Sequence, residues 1–164
     1  MRQNKTMAIL DDLKKLVECE SPTENLEACR KVIEVAKSLA KEITGTTAEV
    51  FDENGRPVFW LGSKNPKIVL LTHLDTVWPI GSFQPIWRVD GDTVFGPGTF
   101  DMKAGFIQAL HALNDISLDD VALIANTDEE IGSLTSRELI MKVSKDAKAV
   151  LVLESSIIGK VKIA

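Results

Sequence analysis

Lys67-Ile68-Val69-Leu70-Leu71-Thr72-His73 decides the fold. Four consecutive apolar residues, two of them β-branched, fit a central strand buried on both faces. His73 then stands at the strand's carboxyl end. Two later runs repeat the pattern. Val121–Asn126 leads into Asp128-Glu129-Glu130, and Ala149–Leu153 leads into Glu154. Between the first two strands lies Gly96-Pro97-Gly98-Thr99-Phe100-Asp101-Met102-Lys103-Ala104-Gly105, a glycine turn that places one aspartate before an apolar helical run. That run, Met102 to about Ile116, is apolar on much of its circumference and reads as a helix packed on a sheet. Ser133 or Thr135 caps a further helix, from about Leu134 to Lys145.

The amino-terminal third is helical. Ile9, Leu10, Leu13, Leu16 and Val17 make one apolar face over residues near 6–19. Ser21-Pro22-Thr23-Glu24 reads as a capping box with proline at the first helical position, and Gly45 marks the stop. Ala48–Phe51 and Val58–Leu61 flank a turn-rich segment and read as a hairpin. Residues 76–92 form a long irregular stretch. Its tryptophans, Trp78 and Trp87, either pack beneath the loop or wall a cleft. Asp90-Gly91 marks a tight turn, and Val161–Ala164 begins a last strand. Alternating buried strands and helices give an α/β class: a three-layer sandwich with a mixed, largely parallel central sheet.

Composition narrows the function. The 164 residues are 45% hydrophobic, enough for an ordinary domain core. No apolar run approaches the roughly 20 residues that span a bilayer, and no basic face suggests nucleic acid. A soluble, cytoplasmic protein is expected. Cys19 and Cys29 lie outside any C-x-x-C pattern and read as buried free thiols on helices. Lys plus Arg is 19 and Asp plus Glu is 24, for a net charge of −5. Removing Asp75, Asp101, Glu129, Glu130 and Glu154 leaves 19 − 19 = 0.

Open α/β sheets bind ligands at the carboxyl ends of their strands. His73, Glu129, Glu130 and Glu154 fall there, with Asp101 in the turn between. One imidazole among several carboxylates suits zinc or another divalent transition metal. So many acids repel one another unless a cation neutralises them. Each piece alone has a plainer reading. His73-Leu74-Asp75 can be a capping feature, Asp101 a helix N-cap, Asp128-Glu129-Glu130 acids at a helix start, and Glu154 a solvated turn residue. Nucleotide binding is disfavoured, because Asp101 replaces the third fingerprint glycine and Lys103 follows no G-x-x-x-x-G.

In order, His73-Leu74-Asp75, Gly96-Pro97-Gly98 with Asp101-Met102-Lys103-Ala104-Gly105, Thr127-Asp128-Glu129-Glu130-Ile131-Gly132-Ser133 and Leu153-Glu154 resemble one family. It is the co-catalytic zinc exopeptidase family of bacterial glutamate carboxypeptidases, acetylornithine deacetylase and succinyl-diaminopimelate desuccinylase. The wording is nearest the glutamate carboxypeptidase branch. The resemblance implies that His73 and Glu154 bind one metal, Glu130 binds a second, and Asp101 bridges both. It implies that Asp75 orients His73, that Glu129 is the general base, and that a cis peptide follows Asp101. Two zinc ions, or cobalt or manganese, would then serve hydrolysis of a small peptide or N-acyl amino acid. A deacylase shares the same metal core, and a non-catalytic metal-binding or interaction module is the reading from another class.

The family pattern adds a downstream histidine ligand, a smaller lid domain that usually mediates dimerisation, and the rest of the catalytic domain. Residues 1–164 are therefore expected to be the N-terminal portion of that domain, inactive alone, with a homodimer expected of the complete protein. His111 lies about 15 Å along its helix from Asp101 and reads as a packing or surface residue.

Overall fold

The computed structural model describes residues 2–155 and 160. The strand expected over 161–164 lies outside them. Two helices come first, α1 (Arg2–Glu18) and α2 (Leu26–Thr44). The strands are β1 (Glu49–Glu53), β2 (Arg56–Gly62), β3 (Ile68–His73), β4 (Arg88–Asp90), β5 (Thr93–Phe95), β6 (Val121–Asn126) and β7 (Ala149–Val152). Helix α3 (Ala104–Leu113) precedes β6, and α4 (Arg137–Lys145) precedes β7.

The main sheet has the order β1-β2-β6-β3-β7. β6, β3 and β7 are mutually parallel, whereas β2 pairs antiparallel with both β1 and β6. The sheet is therefore mixed, with its parallel part beneath the acidic residues. β4 and β5 form a separate hairpin across Asp90-Gly91.

Alternation along each strand fills two cores. On one face Phe59, Leu61, Leu123 and Ala125 pack against Leu16 and Val17 of α1, Val32 and Leu39 of α2, and Phe106 and Leu110 of α3. On the other, Val58, Trp60, Val69, Ala122 and Ile124 meet Leu139 and Val143 of α4. Helices on both faces give the three layers.

Four local expectations change. Helix α2 starts at Leu26 rather than within the Ser21–Glu24 box. Asn25 caps it, accepting the Ala28 N–H at 3.0 Å. The hydroxyls of Ser21 and Thr23 are occupied elsewhere, on the Leu74 carbonyl and the Asp75 carboxylate. The stop at Gly45 holds, with φ 71° and its N–H on the Lys41 carbonyl. Helix α3 begins at Ala104, because Thr99–Lys103 forms a wide turn with Asp101 and Met102 outside helical values. Neither Ser133 nor Thr135 caps α4. Its N-cap is Ser136, with no side-chain cap bond, and Asp128 reaches in from upstream to accept the Thr135 and Ser136 N–H groups at 2.6 and 3.1 Å just before the helix.

Strand β7 is the fourth change. It stands at the sheet edge with Leu151 and Val152 exposed, where burial on both faces was expected. Cys29 is buried on α2, but Cys19 lies just past α1 and is half-buried; both are free thiols. Trp87 packs against the larger core, while Trp78 is exposed and meets Phe83 edge-on. His111 pairs with Asp12 of α1 at 2.9 Å. Among the described residues no helix is long and apolar enough to cross a membrane.

Candidate metal centre

Parallel register brings the site together. Leu71 stands opposite Val152, so His73 and Glu154, each two residues further on, reach the same level at the sheet's carboxyl edge. His73 also stands opposite Asn126, the last residue of β6, just before Asp128-Glu129-Glu130. Glu154 Oε1 lies 3.1 Å from His73 Nε2, and Glu129 Oε2 lies 3.8 Å from it.

Asp101 arrives from the glycine turn. Its Oδ1 is 3.0 Å from His73 Nε2, and the Asp101–Met102 peptide is cis, as the resemblance implied. Two glycines permit this approach. A Cβ on Gly105 would sit 2.6 Å from the Leu153 carbonyl oxygen, so only glycine lets α3 lie against the end of β7. Gly98 has φ +71°, and a Cβ there would press on Thr76 Cγ2 at 2.8 Å. The turn is fastened by Lys103, whose backbone N–H donates to the Gly98 carbonyl. Its fully buried ammonium donates to the Leu16 and Cys19 carbonyls at 3.2 and 3.0 Å, at the carboxyl end of α1. Burial pushes Lys103 down to about 8.

Behind the imidazole, Asp75 is fully buried. His73 Nδ1 faces its carbonyl oxygen at 3.1 Å and its Oδ1 at 3.3 Å. The same carboxylate accepts the Thr23 hydroxyl at 2.8 Å and the Glu129 and Glu130 N–H groups, both at 3.3 Å. Arg56 Nη1 ties the two flanking segments together, donating to the Thr23 and Thr127 carbonyls at 2.8 Å each. Sequence reasoning missed Thr23, Arg56 and Lys103 as parts of the site. Thr23 in its local sequence looks like part of a capping box, and a lone Arg in a hairpin carries no signal. Lys103 lies in the glycine-turn motif, but a lysine there gives no sign that it folds back onto α1.

The electrostatics follow from crowding. Burial alone would lower His73, but Asp75 and the charges of Glu129 and Glu154 outweigh it and push His73 up to about 9. Desolvation raises Glu154 and Glu130, and neighbouring carboxylates raise them further against the opposing pull of His73. Such a cluster favours a cation.

The donor set fits one. His73, Asp101 and Glu154 each offer a ligand atom, all within 4.8 Å of one another. A tetrahedral ion with bonds near 2.0–2.2 Å spaces its ligands by about 3.3–3.6 Å, which small side-chain adjustments reach. Glu130 is not in this trio. The charges of His73, Asp101, Asp75 and Glu129 all act on it. A cleft of about 300 Å³ opens at His73, Glu129 and Glu154 between Met102 and Val152. A second groove, of about 740 Å³, runs from Glu130 past Leu26, Val77 and Ile80.

Comparison with known proteins identifies relatives of the chain. Carboxypeptidase G2 of a Pseudomonas strain is 33% identical over 96% of the chain and 41% of its own length. A peptidase M20 domain-containing protein of Schizosaccharomyces pombe is 30% identical over 64% of the chain and 28% of its own length. Human carnosine dipeptidase 1 has the same fold, with a TM-score of 0.70 at 20% identity, over 93% of this chain and 39% of that one. An M20-family metallo-carboxypeptidase of Sulfolobus solfataricus gives 0.69 at 20% identity, over 93% and 37%. The chain thus spans about two fifths of the length of carboxypeptidase G2. The model of Peptidase family M20/M25/M40 matches residues 69–162, more than half of the sequence, and the chain belongs to that family.

Proposed function

We propose that the acids around His73 belong to the metal-dependent amide-hydrolysis centre of a glutamate carboxypeptidase-like exopeptidase. Its substrate would be a small peptide or an N-acyl amino acid. The observation that carries this reading is the convergence of Asp101, Glu154 and Glu129 on one imidazole nitrogen, His73 Nε2. His73, Asp101 and Glu154 would hold one divalent cation. Asp101 and Glu130 would contribute to a second. Zinc suits these donors, with cobalt and manganese as alternatives. When bound, the cation supplies Lewis acidity at the scissile carbonyl and makes a nucleophile available near neutral pH.

The chain's own groups do the rest. Asp75 accepts the proton of His73 Nδ1, so that Nε2, once a cation displaces its proton, would offer its lone pair to that cation. Glu129 is half-exposed in the cleft and anchored through its backbone N–H, so its carboxylate meets both solvent and substrate. It takes a proton from the attacking water and returns it to the leaving amine. Asp128, held by four hydrogen bonds, keeps that turn from shifting.

Metal analysis of the dialysed chain tests this reading. About one tightly bound zinc is expected, since the trio around His73 is the better assembled set. Glu129→Gln should keep that zinc, and His73→Ala should lose it. Zinc retained by His73→Ala would contradict the reading. Vigorous hydrolysis of an N-acyl amino acid by the chain alone would contradict the one-cation expectation.

A further inference from the structure

The α1–α2 turn is far from the acids in sequence, yet it is stitched to the segment that follows His73. Pro22 pairs with Thr76 as a parallel bridge. The Thr76 N–H donates to the Ser21 carbonyl at 2.9 Å, and the Thr23 N–H donates to the Thr76 carbonyl at 3.1 Å. Ser21 Oγ donates to the Leu74 carbonyl at 2.5 Å. These bonds leave the Thr23 side chain, 4% exposed, facing the buried Asp75 carboxylate.

A threonine hydroxyl has one proton to give. The Thr76 carbonyl lies 3.4 Å from Thr23 Oγ1 and the Asp75 Oδ2 only 2.8 Å, so the carboxylate receives it. The Asp75 carboxylate then has three hydrogen-bond donors on its two oxygens, Thr23 and the N–H groups of Glu129 and Glu130, while His73 Nδ1 stands 3.3 Å from Oδ1 with its hydrogen bond on the Asp75 carbonyl. Thr23 is the shortest of the three. Without it, Oδ2 keeps only the Glu130 N–H at 3.3 Å. This carboxylate touches a metal-ligand imidazole on one side and the backbone of the base and of another ligand on the other. Its rotation therefore sets how the imidazole and the Glu129-Glu130 turn stand to each other. Arg56, on the Thr23 carbonyl, fixes where the hydroxyl is delivered.

We propose that Thr23 is a positioning residue of the metal centre, acting through Asp75 on His73, Glu129 and Glu130. The inference rests on the reading of this site as a cation centre. Its class of ligand is the same divalent cation. Its role is to hold the Asp75 carboxylate in the rotation that presents both walls of the site.

Cobalt titration of the whole chain, followed by visible absorption and by competition with a chelator, tests it. Measurements are made where circular dichroism shows each variant folded. Thr23→Val keeps the shape and removes the donor. It is expected to weaken cobalt binding about tenfold, at the low end of the roughly 10–100-fold known for loss of an outer partner, and to alter the cobalt spectrum. Thr23→Ser restores the hydroxyl and is expected within about twofold of the parent, which a purely steric role would not predict. If the valine variant does not fold, Thr23→Cys, with a weak thiol donor, carries the comparison and should fall between. Parent-like affinity and spectrum in Thr23→Val, or no rescue by serine, would overturn the proposal and leave the metal centre standing. Parent-like cobalt uptake by His73→Ala would overturn both.

Discussion

Replacing Asp128 by Asn tests whether one buried carboxylate sets the turn that carries Glu129 and Glu130. Asp128 is fully buried, and Oδ2 accepts the Thr135 N–H at 2.6 Å, the Thr135 hydroxyl at 2.8 Å and the Ser136 N–H at 3.1 Å. Oδ1 accepts the Ser136 hydroxyl at 2.6 Å. Asparagine retains one oxygen. If that oxygen takes the Oδ2 place, three bonds persist as neutral ones, each weaker by about 1 kcal/mol than its charge-assisted counterpart. The amide nitrogen then faces Ser136 Oγ, which already accepts from Asn126 Nδ2, and the serine proton loses its acceptor. The sum is a loss of about 4 kcal/mol, or about 8–16 °C in Tm for a domain of this size. Urea unfolding followed by circular dichroism measures it. Burial alone would raise Asp128, but the Ser136 and Thr135 donors outweigh it and hold its carboxyl below the ordinary value of 3.8. Its ionised form is therefore favoured in the folded state. The gap between parent and variant should be full above pH 3.8 and close progressively as pH falls through the lower folded value. A loss under about 1 kcal/mol near neutral pH would refute the argument, which rests on charge-assisted bonds of this strength.

Two further outcomes are expected. Gly105→Ala places a methyl 2.6 Å from the Leu153 carbonyl, so α3 must move away from the end of β7. Unfolding should show a loss of about 1–3 kcal/mol, and cobalt affinity should fall with it as Asp101 and Glu154 separate. The second concerns protons. His73 is pushed up to about 9 among its acids, so below that pH a cation must displace its proton. Affinity should rise with pH up to about 9, and uptake at pH 7 should release about one proton, read by calorimetry in buffers of different ionisation enthalpy. No proton release would remove His73 from the ligand set.

What the sequence discloses here depends on distance along the chain. The runs Ile68–Thr72 and Val121–Asn126 announce buried strands because a strand covered on both faces has no polar side to show. The level of His73, Glu129 and Glu154 follows from strand ends alone. The partners of Ser21 and Thr23 do not follow, since they lie about fifty residues away on a segment with which no pattern associates them. Locally, a serine and a threonine before a helix look like caps. Asp128 reads as an acid near a helix start, which it is, but its length of reach to Thr135 and Ser136 depends on the intervening turn at Gly132. The apolar run of β7 resembles that of β3, because an edge strand differs from a central one only in what lies beside it.

Charge links the sequence to the site most directly. The five acids whose removal brings the net charge from −5 to 0 are the ones gathered at the carboxyl edge of β3, β6 and β7 or in the turn beside it. The rest of the chain carries no net charge, so the net negative charge of the molecule equals that of these five acids, which draw cations toward them. A single proton on His73 offsets one of five charges, and the raised Glu154 and Glu130 show how incompletely it does so. One divalent cation held by His73, Asp101 and Glu154 leaves about three negative charges, and a second beside Glu130 leaves about one. Asp101 belongs to the trio at His73, and its charge also acts on Glu130. The acids therefore outnumber what one ion neutralises: Asp75 stays behind the imidazole, Glu129 stays in the cleft at His73, and Glu130 lines the groove at Leu26, Val77 and Ile80.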